Sequence, residues 1–349
     1  MSEFMIYGAN GYTGQLVLAE AVKRGHHPIV SGRNGDATRA LAQQYDLPAR
    51  VFDLADVKTA TSALSGVDTV LHCAGPFSAT AAPMLEACLA HGTHYLDITG
   101  EIDVFAHCHA QDARAKERGI VVLPGSGFDV VPTDCLAALL KRELPDAIEL
   151  VLAFEAGGGP SPGTAKTSVE GLAKGCRVRR DGKLTTVPLA WKDRTFQRDG
   201  QPRTAMTIPW GDVYTSYIST GIPNVEVYMA VPPKTIENVR RMRYVQPFLG
   251  FGFVQNMLKG RTPQRGPSDE KRANTRSHIW GEVRNAAGRE VKLELDTPNG
   301  YDITVTAALG IVEQLLRTKP AGGYYTPSQL MGADYVLGLP GVVLSKSAA

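Results

Sequence analysis

Short apolar runs and amphipathic stretches alternate six times across residues 1–145 of this 349-residue chain. A stretch with helical spacing follows each apolar run, and the runs are 4–7, 28–31, 50–53, 69–74, 94–98 and 120–125. Strands that alternate with helices are typical of β-α-β units, which build parallel sheets. We therefore predict a doubly wound parallel sheet over residues 1–145, with strand order 3-2-1-4-5-6.

The remainder of the chain has a different pattern. Residues 177–188 place Asp181 and Gly182 between two strand-like arms, and residues 278–297 form a second, longer hairpin pattern. Helical spacing returns over residues 301–317. We predict an α/β protein with a Rossmann-type domain (1–145), an α+β domain for substrate binding or dimerisation with a largely antiparallel sheet (146–320), and a C-terminal segment (321–349) that packs back on the first domain.

Composition excludes several classes of function. A net charge of +2, without a zinc-finger or basic-zipper pattern, does not indicate nucleic-acid binding. The five cysteines are scattered, contain no CxxC pair, and no His, Asp or Glu cluster has metal spacing, so we predict no metal site. The chain has neither a signal-peptide pattern nor an apolar run long enough to span a bilayer, and we expect a cytoplasmic protein.

The most informative loop follows the first apolar run and reads GANGYTG. Gly8, Gly11 and Gly14 suit a tight turn, close approach of a pyrophosphate and close packing of helix on strand. The same glycines also suit a plain strand-to-helix turn, but their place at the first of six strands favours a cofactor. The predicted contacts in this loop are Gly8, Asn10, Gly11, Tyr12, Thr13 and Gly14.

The loop after the second run, SGRNGD, indicates which dinucleotide binds. An acidic residue here usually bonds the ribose of NAD, whereas an arginine suits the 2′-phosphate of NADP. Arg33 occupies this place with Ser31 and Asn34 beside it, and Asp36 is expected to cap the next helix. We therefore predict NADP(H). Asp53, at the end of the third run, is placed either to bond the adenine amino group or to cap a helix.

Three further strand ends carry candidate residues, because ligands of open α/β sheets bind at the carboxyl ends of the strands. Ala74, Gly75 and Pro76 are predicted to lie against the ribose and nicotinamide. Carboxylates after the fifth and sixth runs are candidates for proton transfer or for binding a substrate amine, and Asp97 is equally well explained as a structural turn residue. These catalytic candidates are Asp97, Glu101 and Asp129.

Two related chemistries are disfavoured. Short-chain dehydrogenases need a Tyr-x-x-x-Lys pair, and no lysine of this chain has a tyrosine four residues before it. Semialdehyde dehydrogenases use a cysteine nucleophile. Cys135 lies in a first helical turn that could lower its pKa, but its position in the pattern faces a core.

Several motifs together resemble the saccharopine dehydrogenase-like oxidoreductases, a family that includes bacterial proteins described as trans-acting enoyl reductases. The motifs are GANGYTG, SGRN, CAGPF, HGTHYLDITGE, LPGSGFDVVPTD, IPWGDVYTSYISTGIPNVEVY, YDIT and YYTPSQLMGADYVLGLPGV. The resemblance covers nearly the whole chain. It implies a two-domain NADP-type reductase and supports 8–14, 31–34 and 73–77 as cofactor contacts, but it transfers no substrate.

We therefore expect an NADP(H)-dependent oxidoreductase that reduces a C=C or C=N bond of a small or acyl substrate. The absence of an obvious catalytic cluster leaves a non-catalytic dinucleotide-binding sensor or scaffold as an alternative. Residues 240–261 combine apolar residues with flanking Arg and Lys, which suits either a peripheral contact with lipid or a helix packed in a domain or homodimer interface.

Overall fold

Two β-sheets organise the chain, of which the computed structural model describes residues 4–263 and 265–346. The strands are β1 Phe4–Tyr7, β2 Ile29–Gly32, β3 Ala49–Val51, β4 Thr69–His72, β5 His94–Asp97, β6 Val121–Leu123, β7 Ala147–Glu155, β8 Cys176–Arg180, β9 Lys183–Val187, β10 Asp193–Arg198, β11 Gln201–Thr207, β12 Asn224–Ala230, β13 Arg276–Asn285, β14 Glu290–Pro298, β15 Gly323–Tyr324 and β16 Val343–Lys346.

Helices connect and cover these strands. The α-helices are α1 Tyr12–Lys23, α2 Gly35–Gln44, α3 Val57–Ala63, α4 Phe77–His91, α5 Ile102–His109, α6 Asp112–Arg118, α7 Val131–Glu143, α8 Pro162–Lys174, α9 Asp212–Thr220, α10 Pro233–Met242, α11 Gly252–Gly260, α12 Asp269–Ala273, α13 Gly300–Arg317 and α14 Pro327–Met331. Two 3₁₀ helices span Arg243–Phe248 and Ala333–Gly338.

Proximity of Cα atoms separates the described chain into two units. Unit 1 contains residues 4–131 and 301–331, and unit 2 contains residues 132–300 and 332–346. The sequence-based boundaries at 145 and 320 differ from this division, because nearly all of α7 belongs to unit 2 and nearly all of α13 to unit 1. Residues 1–3 and 347–349, which the predicted ranges include, and residue 264 lie outside the described residues.

Unit 1 is built on the predicted parallel sheet. Its seven strands have the order β15-β6-β5-β4-β1-β2-β3, which contains the predicted order 3-2-1-4-5-6 and adds β15 at one edge. β1 pairs in parallel with β2 and β4, and its residues are fully buried because helices cover both faces of such a sheet. The Rossmann-type fold class is confirmed.

One predicted helix of unit 1 is divided. The helical spacing that follows the fifth apolar run extends over residues 104–118 and predicts a single helix, but α5 ends at His109 and α6 begins at Asp112. The Gln111 N–H donates to the Cys108 carbonyl three residues earlier, which closes the first helix. The Asp112 carboxylate accepts from the N–H of Tyr324 in β15, so the second helix begins where it anchors the added strand.

Unit 2 contains the predicted, largely antiparallel sheet. Its main path is β10-β11-β12-β7-β13-β14-β16, with the β8–β9 hairpin attached to β12. Among the strands that the structure describes in unit 2, only β7 and β12 pair in parallel. Both predicted hairpins are confirmed, as β8–β9 and β13–β14. Asp181 and Gly182 have φ of 48° and 74°, as a tight two-residue hairpin turn requires.

The C-terminal segment is shared between the two sheets. β15 pairs in parallel with β6 in unit 1, whereas the sequence-based prediction placed all of residues 321–349 on the first domain. β16 instead pairs antiparallel with β14 in unit 2. A local sequence pattern cannot indicate which sheet edge a short terminal strand will join, because either edge offers the same unpaired backbone groups.

Candidate cofactor-binding site

The glycine loop between β1 and α1 has no room for a side chain at Gly8 or Gly14. Gly8 has a φ of +83°, and a Cβ there would lie 2.7 Å from the Ala74 backbone nitrogen. A Cβ on Gly14 would lie 2.3 Å from the Gly8 carbonyl oxygen. Gly11 precedes α1 and supplies no side-chain cap to it. The bare backbone and the positive end of the helix dipole therefore fit a pyrophosphate.

The other residues of the loop flank this bare backbone. The Asn10 carbonyl accepts from the Gln15 side-chain amide at 2.9 Å, which holds the turn. The Tyr12 ring meets the Tyr301 ring edge to face, with 5.0 Å between centroids. Thr13 is half-buried in the first turn of α1. Tyr301 was not among the predicted site residues, although it belongs to the YDIT motif.

The three predicted cofactor contacts at the end of β2 have different environments in the structure. Ser31 is fully buried, and its hydroxyl donates to the Arg50 carbonyl at 2.7 Å, while Arg33 is exposed. The Asn34 side chain accepts from the Ala37 N–H and caps α2. The expectation that Asp36 caps this helix is wrong, because Asp36 already lies inside its first turn. A 2′-phosphate contact by Arg33 stays a prediction.

Asp53 is exposed just beyond β3. One of its carboxylate oxygens accepts from the Ala55 N–H at 3.0 Å and forms a local turn. Nearby, the Tyr7 hydroxyl donates to the Phe52 carbonyl at 3.2 Å. Burial, together with the negative charge of Asp53, raises the pKa of Tyr7 to about 12. A bond from Asp53 to adenine is still a prediction.

The structure brings the loop after β4 directly against the glycine loop. The close approach of Gly8 and Ala74 places residues 74–76 beside the expected pyrophosphate position. The Thr80 hydroxyl lies 2.7 Å from the Ala74 carbonyl and 3.1 Å from the Pro76 carbonyl, so it fixes this loop. Two predicted cofactor segments that are distant in sequence, 8–14 and 74–76, therefore form one surface.

Asp97 is a buried carboxylate that holds two strand ends together. It accepts hydrogen bonds from the Tyr95 hydroxyl at 2.6 Å, the Thr99 N–H at 2.9 Å and the Gly125 N–H at 2.8 Å. Burial raises the pKa of Asp97 to about 6, although these hydrogen bonds act in the opposite direction. This geometry joins the end of β5 to the loop after β6.

Glu101 caps a helix that begins 24 residues earlier. Its two carboxylate oxygens accept from the N–H groups of Phe77 at 3.0 Å and Ser78 at 2.9 Å, in the first turn of α4. The negative charge there is stabilised by the unpaired N–H groups and by the helix dipole. Glu101 therefore orders the loop that contains residues 74–76.

Asp129 lies after β6 and has a pKa that is raised further than that of Asp97. It is half-buried after β6, and its carboxylate lies close to Gly100, where a Cβ would be 2.9 Å from Oδ2. The preceding Phe128 N–H donates to the Thr304 hydroxyl at 3.0 Å, which holds this loop against α13. Burial, and then the negative charge of Glu101, raise the pKa of Asp129 to about 7.

A thiol nucleophile finds no support in the geometry. Cys135 is fully buried on α7, and burial raises the pKa of its thiol well above the ordinary value. An inert, protonated thiol is the expected result. Within residues 4–263 and 265–346, no group of three or more His, Cys, Asp or Glu side chains could hold a metal ion.

Residues 240–261 form a surface of exposed aromatic side chains in unit 2. Tyr244, Phe248, Phe251 and Phe253 are 87%, 59%, 52% and 74% exposed, and the rings of Phe251 and Phe253 stack with 6.2 Å between centroids. No helix of the described chain is long and apolar enough to cross a membrane.

Comparison with known proteins agrees with this geometry. Residues 4–123 match the family model described as the saccharopine dehydrogenase NADP binding domain. Residues 4–123 are therefore similar to the NADP-binding domains of this family. The match confirms the predicted cofactor class, and the predicted resemblance to saccharopine dehydrogenase-like oxidoreductases is confirmed as well.

Individual relatives match over part of their length. A saccharopine dehydrogenase-like oxidoreductase of Rattus norvegicus is 24% identical over 216 residues, which are 54% of this chain and 50% of that protein. A protein of Mycobacterium tuberculosis named as a candidate trans-acting enoyl reductase is 28% identical over 193 residues, 49% of this chain and 44% of that protein. The chain thus spans about half the length of the curated relatives it matches.

A solved structure shares the fold over the whole chain. Apo saccharopine dehydrogenase (L-Glu forming) from Saccharomyces cerevisiae superposes with a TM-score of 0.68, covers 100% of both chains and is 12% identical in sequence. At this identity the similarity establishes the fold alone. It agrees with the combination of a parallel and a largely antiparallel sheet.

Proposed function

We propose that this protein is an NADP(H)-dependent oxidoreductase that reduces a C=C or C=N bond of a small or lipid-like substrate. The observation that carries the proposal is the bare glycine loop joined to Ala74, with a carboxylate of raised pKa at the same edge of the sheet. Gly8, Gly11 and Gly14 would hold the pyrophosphate, and Arg33 the 2′-phosphate. A bound NADPH supplies the hydride for such a reduction.

Asp129 is the residue that we assign to proton transfer. A group whose pKa lies near the working pH can both hold and release a proton, and the carboxyl of Asp129 has a pKa of about 7. Asp97 and Glu101 have structural tasks instead, because their oxygens accept hydrogen bonds from neighbouring N–H groups. In the reducing direction the protonated form of Asp129 is active, so we expect kcat to fall as pH rises above about 7.

Dinucleotide binding and turnover test this proposal separately. NADPH is expected to bind more tightly than NADH, and Arg33→Ala to weaken NADPH binding selectively. Oxidation of NADPH is then followed with a panel of enones, imines and enoyl thioesters. Asp129→Asn is expected to lower kcat about 100-fold or more and to leave the NADPH Kd unchanged. Tight NADPH binding without turnover on any substrate would favour the sensor or scaffold instead.

A second candidate function is peripheral contact with a lipid surface through residues 240–261. The aromatic side chains of residues 240–261 are exposed, and the sequence from 238 to 268 contains six Arg or Lys and no Asp or Glu. Exposed aromatic rings beside cationic residues suit the interface of an anionic membrane. The same surface would receive a lipid-like substrate.

Flotation with phosphatidylcholine vesicles, with and without phosphatidylserine, tests lipid contact. The wild type should float with the anionic vesicles, and the double variant Phe248→Asp, Phe251→Asp should not. Val343→Asp with Leu344→Asp is the matched control, because it changes two exposed apolar residues of β16 in the same unit. A wild type that stays at the bottom of the gradient removes the idea.

A homodimer and a cytoplasmic location complete the proposal. Light scattering after size-exclusion chromatography measures the mass in solution, and cell fractionation measures location. A particle of one-chain mass at micromolar concentration would contradict the dimer.

A further inference from the structure

Arg39 is a second arginine at the position where Arg33 is expected to meet the cofactor. It lies on the second turn of α2, and its guanidinium folds back over the first residue of that helix. A Cβ on Gly35 would lie 2.7 Å from Nη2 and 3.3 Å from Cζ of Arg39. The missing side chain of Gly35 therefore makes room for the guanidinium, two residues after Arg33.

The positive charge of Arg39 is only weakly compensated. Its ion-pair partner is Asp36, with 3.4 Å between Nη2 and Oδ1, and the two side chains are 63% and 101% exposed. Exposed pairs of this kind contribute about 0–1 kcal/mol, so the guanidinium can exchange this partner for a stronger one. The start of α2 adds the positive end of a helix dipole.

The expected ligand group at this place carries more charge than one arginine neutralises. The end of β2 is where Rossmann-type domains bind the adenosine ribose, and NADP adds a 2′-phosphate there. A phosphate monoester carries about −1.5 to −2 charges near pH 7 and offers three acceptor oxygens. One guanidinium engages two of these oxygens, which leaves an oxygen and about one charge for a second cation.

We propose that Arg39 is a second specificity-determining residue, which binds the 2′-phosphate of NADP together with Arg33. This inference rests on the proposed NADP(H) binding. Asp36 then has an opposing effect, because its carboxylate competes for Arg39 and repels the phosphate. Gly35 is the permissive residue, since any side chain there displaces the guanidinium.

Calorimetric titration with NADPH and with NADH tests this role without any substrate. Arg39→Ala should weaken NADPH binding about tenfold and leave NADH binding unchanged, as expected for one lost charge-assisted contact. Arg39→Lys should restore part of the affinity. Asp36→Asn should tighten NADPH binding a few-fold, and Gly35→Ala should weaken it by less than Arg39→Ala does.

Arg114→Ala is the matched control, since it removes an exposed, ion-paired arginine elsewhere in unit 1. It should change neither affinity, and circular dichroism checks that every variant is folded. An unchanged ratio of the NADPH and NADH dissociation constants in Arg39→Ala overturns the inference, while the proposed function stands if the wild type still prefers NADPH. Failure of the wild type to bind either dinucleotide overturns the proposed function itself.

Discussion

The sheets of unit 1 and unit 2 both carry charged side chains, but they place them differently. In unit 1 the carboxylates Asp97 and Glu101 follow a strand end and accept hydrogen bonds from backbone N–H groups of other loops. In unit 2 the charges lie on the strands and pair across the sheet. There His278 contacts Glu294 at 3.0 Å and Asp296 at 3.1 Å, and Arg198 contacts Glu155 at 2.7 Å.

This difference separates a ligand edge from a structural face. Pairs across a sheet satisfy one another and leave little for a ligand. At the strand ends of unit 1, carboxylates organise bare backbone, and Gly11, which precedes α1 in the glycine loop, supplies no side-chain cap to that helix. Chemistry is therefore expected at the edge of the parallel sheet, and mutations in the two places should have different consequences.

The glycine loop should give the largest effect of all. Gly14→Val places a branched side chain where even a Cβ would lie 2.3 Å from the Gly8 carbonyl oxygen. The loop must move, and because the pyrophosphate would lie against its backbone, we expect NADPH affinity to fall about 100-fold or more. Fluorescence titration with NADPH measures the loss.

Gly171→Ala is the control for Gly14→Val, since a Cβ at this helical glycine of unit 2 meets nothing within 4 Å. Its NADPH affinity should equal that of the wild type. Retention of full affinity in a folded Gly14→Val variant would remove the glycine loop from the site.

A mutation in the core of unit 2 should lower the stability of the protein without changing its affinity for NADPH. Trp280 is 3% exposed, its ring stacks on Phe196 at 5.3 Å between centroids, and its Nε1–H donates to the Gln197 carbonyl at 2.8 Å. These contacts join β10 to β13 across the face of the sheet. Trp280→Ala should lower the free energy of unfolding by about 3–5 kcal/mol. Urea unfolding measures the change.

The control for Trp280→Ala is Val343→Ala, at a site that is 58% exposed. It should change stability by less than about 0.5 kcal/mol. The dissociation constant for NADPH should be the same in both variants. A large loss of NADPH affinity in folded Trp280→Ala would mean that the division of roles between the two sheets is wrong.

Sequence patterns predicted the parallel sheet, its strand order and the glycine loop, because each depends on local periodicity or on residues close in sequence. They did not predict that Glu101 caps α4 or that Tyr301 meets Tyr12, because these contacts join distant segments. The sequence predicted Asp36 as the cap of α2, but Asn34 is the cap. Both residue types are good caps, and the choice depends on where the helix begins. Nothing in the local sequence indicates that burial raises the pKa of Asp129 to about 7.

Asp129 should make stability depend on pH in an unusual direction. Its native pKa of about 7 lies above the value of about 3.9 for an unfolded aspartate. Between these two pH values the native state therefore binds more protons than the unfolded state does. Its contribution to stability is complete below pH 4 and is lost as pH rises to about 7. Asp129→Asn avoids burying a charge and should be more stable than the wild type at pH 8, with a smaller difference at pH 5.

Melting temperatures at pH 5 and pH 8 test the Asp129 prediction. Asp199→Asn is the control, because the side chain of Asp199 is 90% exposed. It should give the same small difference at both values. If Asp129→Asn melts at a lower temperature than the wild type at pH 8, then the charged carboxylate of Asp129 does not destabilise the native state, and the prediction is wrong.

Glu101 should give the smallest effect, because it acts on Asp129 from a distance. Glu101→Gln removes the second cause of the raised pKa and leaves burial, the first cause, in place. The midpoint of the Asp129-dependent pH profile should therefore move to lower pH, by less than one pH unit or so if the charge contributes less than burial does. Glutamine also keeps only one acceptor for the N–H groups of Phe77 and Ser78, at a stability cost of about 1 kcal/mol. Loss of stability with an unchanged midpoint would mean that Glu101 acts only as a helix cap. A shift toward lower pH would mean that the carboxylate which orders the loop at 74–76 also raises the pKa of Asp129.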